Sequence, residues 1–203
     1  MGWVWRADRS LFFLLNGRPG GALAHGVALA VLWLSSGGAC WLTLFAVAFV
    51  LGGRRGRRLA VTGVVALLLA HAAAVWGLEG LAQRASPVHT YAGVRVLSGV
   101  RLPRFSLPAT RMAEACAAWP LLRRGGGLLR ALVDAFTAAV AWSAVYSGAH
   151  FPSDVAAGAL IGLLGAAAAL WLLGDPAARR QGAFVPLPTR VRRGRRLPGP
   201  GRA

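Results

Sequence analysis

Two stretches of this chain, residues 59–77 and 155–173, run without a single charged side chain. At about 1.5 Å per helical residue, each is long enough to cross a hydrocarbon core roughly 30 Å thick. A bilayer offers no water to backbone N–H and C=O groups, so such segments must satisfy them internally, as helices. We therefore expect an all-α, polytopic transmembrane helical bundle. Composition agrees: 56% of residues are hydrophobic and 14% charged, against about 25% charged in soluble domains. Mean hydropathy is +0.55. An ordinary soluble domain is excluded, and 203 residues suffice for one domain rather than two.

The remaining segments fill out the bundle. Within the apolar stretch 22–52 we place a first crossing at residues 31–51, followed by a basic turn holding Arg54, Arg55, Arg57 and Arg58. The uncharged run 59–77 is the second crossing, with Trp76 as an interfacial anchor near its far end. Residues 79–108 lose apolar character and form the longest internal loop. Residues 109–122 contain Arg111, Glu114 and Pro120, so they survive as a third crossing only if those positions face protein or water. Residues 128–147 and 155–173 complete an expected set of about five crossings around a polar turn at 148–154. Residues 1–20 read as an amphipathic interfacial segment, 21–174 as the transmembrane domain and 175–203 as a basic, disordered cytoplasmic tail.

Charge sets the orientation. The chain has 23 basic residues, all arginine, against 6 acidic ones, a formal charge of +17. Four arginines lie in the 53–58 turn, three in the 123–130 connection and eight in the tail. Five crossings put all three on one side, and the positive-inside rule makes it cytoplasmic. Arg84, Arg95, Arg101, Arg104 and Arg111 lie toward the opposite, outer face, against that bias. Snorkelling to lipid phosphates accounts for any one of them, whereas convergence on a common point suggests a phosphate pocket.

The polar turn supplies that point. His150 and Asp154 lie where the fourth crossing gives way to the fifth, and Pro152 suits the first turn of the new helix. On its own, an acid at a helix start satisfies amide donors. The surrounding stretch, Ser143-Ala144-Val145-Tyr146-Ser147-Gly148-Ala149-His150-Phe151-Pro152-Ser153-Asp154 and onward to Gly162, resembles the third signature of the type 2 phosphatidic acid phosphatase (PAP2) and vanadium haloperoxidase superfamily. Residues 11–17 are similar to the family's opening segment, and the helix order agrees over residues 10–173.

The resemblance implies a PAP2-like fold in which His150 attacks phosphorus and Asp154 orients it. A neutral imidazole needs one free nitrogen for attack while the other donates to a carboxylate, which fixes the tautomer and stabilises the positive charge of the phosphohistidine intermediate. Arg84, Arg104, Arg111 and Ser143 are the candidate phosphate-binding residues. Departures from the family pattern are marked. Ala144 stands where the third signature has arginine. In the second signature Ser106 and Pro108 remain, but Ala109, Thr110 and Arg111 replace serine, glycine and the acid histidine. In the first, Glu79 and Ser86 replace lysine and arginine, Pro87 is retained, and Arg84 lies two residues from the lost arginine.

The expected function is hydrolysis of a lipid phosphate or diphosphate through a phosphohistidine, at the outer face of the inner (cytoplasmic) membrane. The alternative is a non-catalytic PAP2-like protein that binds anionic phospholipid or a protein partner. No metal site and no cofactor is expected. No nucleic-acid partner is expected either, because no stacking residues interleave the tail arginines. Gly158 and Gly162 suit close helix packing within one subunit as readily as a homodimer. Packing or interhelical hydrogen bonds suit His25 and His71, while His89 in the outer loop is a candidate substitute acid. Cys40 and Cys116 lack both CxxC spacing and the density of a disulfide scaffold.

Overall fold

Helices account for nearly all regular structure in the computed structural model, which describes residues 2–17, 20–100 and 102–174. Arg101 and the tail from residue 175 lie outside the described residues. The described residues up to Leu173 pack as one unit. The helices are α1 (Gly2–Asn16), α2 (Gly21–Leu34), α3 (Ala39–Leu51), α4 (Gly53–Ala72), α5 (Gly80–Ala82), α6 (Pro87–Thr90), α7 (Thr110–Leu122), α8 (Gly127–Tyr146) and α9 (Pro152–Leu173). A π-helical stretch, Ala73–Glu79, joins α4 to α5, so Gly53–Ala82 is one helical run of 30 residues.

Among the described residues three helical segments, Gly53–Ala82, Gly127–Tyr146 and Pro152–Leu173, are long and apolar enough to cross a membrane. Their outer faces carry large exposed apolar side chains, including Leu68, Trp76, Leu128, Leu164 and Trp171. A face of this kind belongs in lipid, not in water. The chain is a multi-pass membrane protein.

The continuous crossing expected at 31–51 is not one straight helix. Gly37 and Gly38 have φ of 58° and 68°, left-handed values that break the helix between α2 and α3. The pair Gly21–Leu34 and Ser36–Leu51 is bent by 52°. The basic turn is also displaced. Arg54, Arg55, Arg57 and Arg58 lie inside the first turns of α4, which starts at Gly53, so the connection from α3 is reduced to Gly52.

The expected segment 109–122 contains a 13-residue helix, α7 (Thr110–Leu122), shorter than an independent crossing and buried at Met112–Ala118, Leu121 and Leu122. Rising about 20 Å, α7 runs parallel to α9 at the centre of the bundle. A Cβ added at Gly158 would strike the Ala109 carbonyl, and one at Gly162 the Ala113 carbonyl. This glycine face is therefore consumed by packing inside the subunit. The polar residue of α7 is covered in the way the sequence demands: Glu114 Oε1 pairs with His71 Nδ1 on α4 at 2.9 Å. His25 pairs with Ser98.

At one end of the bundle the termini of α4–α5 and α8 meet the starts of α7 and α9. α4 packs antiparallel to α9, with Ala66 and Ala70 against Gly165, so its arginine-rich start lies at the other end. There Arg123 binds Asp134 of α8 at 2.9 Å. α1 lies across the first end, burying Phe12 against Phe151 with ring centroids 5.4 Å apart. Asn16 staples it in place, donating to the carbonyls of Arg95 (2.8 Å) and Tyr146 (3.0 Å) and accepting the Arg95 N–H (2.9 Å).

Candidate active site

The loop between α5 and α7 is ordered locally by a short antiparallel bridge between Ala85 and Phe105. Ser106 N–H donates to the Arg84 carbonyl at 2.8 Å, and Ser86 N–H to the Arg104 carbonyl at 3.4 Å. This bridge presents two groups to the helix ends: the Arg84 guanidinium and the Ser106 carbonyl.

α9 starts at Pro152, and Asp154 occupies its first turn, where an acid favours the positive end of the helix dipole. Its Oδ2 accepts the Phe151 N–H at 2.8 Å, the reach-back half of a capping box. Its Oδ1 accepts Arg84 Nη1 at 2.6 Å. The helix-capping role is thus real, and it occupies one of the two oxygens.

His150 lies in the turn before α9 and is half-buried. Its Nδ1 donates to the Ser106 carbonyl at 2.7 Å. The expected pairing of Asp154 with His150 is therefore replaced: the carbonyl fixes the imidazole tautomer, while Asp154 acts on the ring through its field alone. With Nδ1 carrying the proton, Nε2 keeps a free lone pair. Burial lowers the His150 pKa below the ordinary 6.5 and the Arg111 charge adds to this, against the raising effects of the Ser106 hydrogen bond and Asp154. At neutral pH the ring is neutral.

Arg84 is not a free phosphate ligand. Its Nη2 binds Asp8 Oδ2 at 2.8 Å, and its Nη1 is shared between Asp154 Oδ1 and Ser153 Oγ, each at 2.6 Å. The rings of Phe151 and Trp5 flank it, 4.1 and 4.6 Å from its central carbon. Both terminal nitrogens of the guanidinium are thus engaged by protein groups, while its buried Nε has no hydrogen-bond partner among the described residues.

Asp8 is the residue that sequence reasoning missed. Buried on α1, it also accepts Ser153 N–H at 2.9 Å and the Ser153 hydroxyl at 2.6 Å. The available signal was helical spacing: Asp8, Phe12 and Asn16 recur every fourth residue and all face the bundle.

The other candidates divide. Arg111, at the start of α7, makes no hydrogen bond or ion pair among the described residues, and its charge acts on His150. It lines a mainly apolar cavity of about 660 Å³ with Leu29, Leu32, Trp33, Cys40 and Val100. Arg104 is exposed, stacked 5.4 Å from its neighbour Phe105. Ser143 is buried and spends its hydroxyl on the Val140 carbonyl at 3.0 Å within α8, so it does not reach the site. His89 is exposed and bonded to Ser86 Oγ at 2.8 Å. Arg95 stacks on Tyr146 at 4.3 Å.

Residues 109–176 match the PAP2 superfamily. Among solved structures, that of LpxE from Aquifex aeolicus is similar, with a TM-score of 0.67 and 25% sequence identity over 80% of this chain and 93% of that chain. No curated protein matches the sequence.

Proposed function

We propose, for a chain whose residues 109–176 match the PAP2 superfamily, a membrane phosphatase that hydrolyses a lipid phosphate or diphosphate through a phosphohistidine at His150. The observation that carries this reading is the bond from His150 Nδ1 to the Ser106 carbonyl, which leaves the lone pair of Nε2 free to attack. In the reaction, Nε2 attacks phosphorus, Arg111 faces the phosphoryl charge, and Asp154 stabilises the positive imidazole of the intermediate. The apolar cavity beside Arg111 is open to a lipid chain whose phosphate reaches that guanidinium.

The topology that goes with this reading has five crossings: the bent α2–α3 pair, α4–α5, α7, α8 and α9. The arginine-rich ends face the cytoplasm, the site faces outward, and α1 lies at the outer interface with Trp3 and Trp5 exposed to headgroups. The membrane in question is the cytoplasmic membrane, and the cytoplasmic tail meets its anionic lipid.

A second reading, a non-catalytic lipid-binding relative, is favoured by one specific feature. Arg84 is consumed by Asp8 and Asp154, and Ala144 supplies no replacement guanidinium. Phosphate release from lipid monophosphates and diphosphates in detergent, comparing the native protein with His150→Ala, separates the two. The phosphatase reading expects release from native protein alone; equal background release selects the binding reading.

A further inference from the structure

An ionisable side chain inside an apolar bundle is costly unless every polar atom is partnered, and one left open marks a place where something binds. Glu114 is such a residue. It lies in the second turn of α7, and the contact of its neighbour Ala113 with Gly162 sets it roughly 15 Å along α9 from Pro152, well inside the bundle. Glu114 is 4% exposed. His71 Nδ1 meets its Oε1 at 2.9 Å, but Oε2 is buried and has no hydrogen-bond partner among the described residues.

Two groups are placed near this oxygen and leave it open. The Gly38 backbone lies so close that a Cβ there would stand 3.5 Å from Oε2, yet the Gly38 N–H donates to the Ser35 carbonyl at 3.4 Å. Arg111, one turn earlier on α7, acts on Glu114 through its charge without a hydrogen bond, and it lines the larger cavity beside Ala39 and Cys40. Glu114 and His71 line a separate cavity of about 200 Å³, together with Gly37, Gly38, Leu42 and Leu68. That space equals the liquid volume of roughly six or seven waters, enough for a small head group and a few methylenes. Leu42 and Leu68 are exposed on the outer face of the bundle, so the apolar wall continues into lipid.

We infer that this cavity binds an amphipathic primary amine, with its ammonium on Glu114 Oε2 and its alkyl chain running along Leu42 and Leu68 into the bilayer. An ammonium supplies the donor that Oε2 lacks and a charge opposite to the carboxylate's. An alcohol offers the donor without the charge, and an anion is repelled by Glu114. A metal ion would find two ligands only, because among the described residues no third His, Cys, Asp or Glu joins His71 and Glu114. The site does not depend on the phosphatase reading: neither His150 nor Asp154 lines the cavity.

The test uses full-length protein in nanodiscs of zwitterionic lipid with radiolabelled decylamine and decanol, which share one chain, and protein-free nanodiscs give the partitioning background. Native protein should bind decylamine saturably and decanol not at all. Glu114→Gln keeps the shape and removes the charge, and should weaken decylamine binding by at least about tenfold, the worth of a hydrogen bond to a charged group. Leu68→Trp fills the cavity from an exposed position and should weaken binding likewise; it decides the matter if Glu114→Gln does not fold. His150→Ala should bind as the native protein does. Absence of saturable decylamine binding, equal binding of decanol, or native affinity in either Glu114→Gln or Leu68→Trp overturns the inference. Loss of binding in His150→Ala overturns it too, by placing the amine in the candidate active site.

Discussion

Asp8 and Arg84, separated by 76 positions in the chain, meet at 2.8 Å beneath the start of α9. The contact ties the first helix to the loop between α5 and α7 and, through Arg84 Nη1, to Asp154. It makes α1 a part of the candidate site. The side chains of Arg84 and Asp8 are only 14% and 7% exposed, so solvent screens the pair little.

Removing this contact should be costly. Asp8→Ala strips Arg84 and Ser153 of an acceptor and should lower stability by about 1.5–3 kcal/mol, read as a fall in Tm in detergent. Ala substitution at the exposed Arg6, one helical flank away, should leave Tm unchanged. An Asp8→Ala protein as stable as the native one would show that α1 is not anchored through this acid.

The acid limb of the pH–rate profile should lie below the ordinary histidine value of about 6.5, because burial holds the His150 pKa down and only the neutral ring attacks. The same direction fixes the sign of the stability effect. A His lowered by folding contributes fully above the unfolded value, and the contribution is lost as pH falls through that value toward the folded one. Arg111→Ala removes a lowering charge, so the limb should move to higher pH. A limb at or above 6.5 in the native protein contradicts this account.

Gly162 holds α9 against the Ala113 carbonyl of α7. Gly162→Leu should overpack this contact and cost about 1–3 kcal/mol or more, seen as lower Tm and poor recovery from the membrane. The exposed Leu164 tolerates Ala with little change in Tm. Similar stability in the two variants would mean that α7 and α9 are not in close contact.

Single cysteines at Arg55 and Arg104, both exposed, in a background lacking Cys40 and Cys116, should label from opposite sides of the membrane. Labelling from one side only would remove α4–α5 from the set of crossings.

The long helices were legible because uncharged runs have one stable form in lipid. The break at Gly37–Gly38 was written in the sequence as a serine–glycine cluster, but where a crossing begins depends on packing, and Glu114 pressed against Gly38 is a tertiary fact. α7 was marked by Glu114, whose partner His71 on α4 shows how a charged residue is held in the core. In the site, His150 and the start of α9 at Pro152 were readable from local chemistry. The partner of His150 was not: a four-residue spacing pairs two side chains only on one helix, and His150 lies outside α9. Ser106 acts through its backbone, which no side-chain motif records. The Arg84 counter-charges come from α1 and α9, a juxtaposition set by the fold.

The central claim is that His150 becomes covalently phosphorylated. Acid-labile, base-stable phosphate on the protein, trapped by alkaline quench during turnover of farnesyl diphosphate and located by peptide mass spectrometry, tests it most directly. The account predicts phosphate on His150 in the native protein and none in His150→Ala. Turnover with no phosphorylated His150 peptide, or unchanged turnover in His150→Ala, would contradict it.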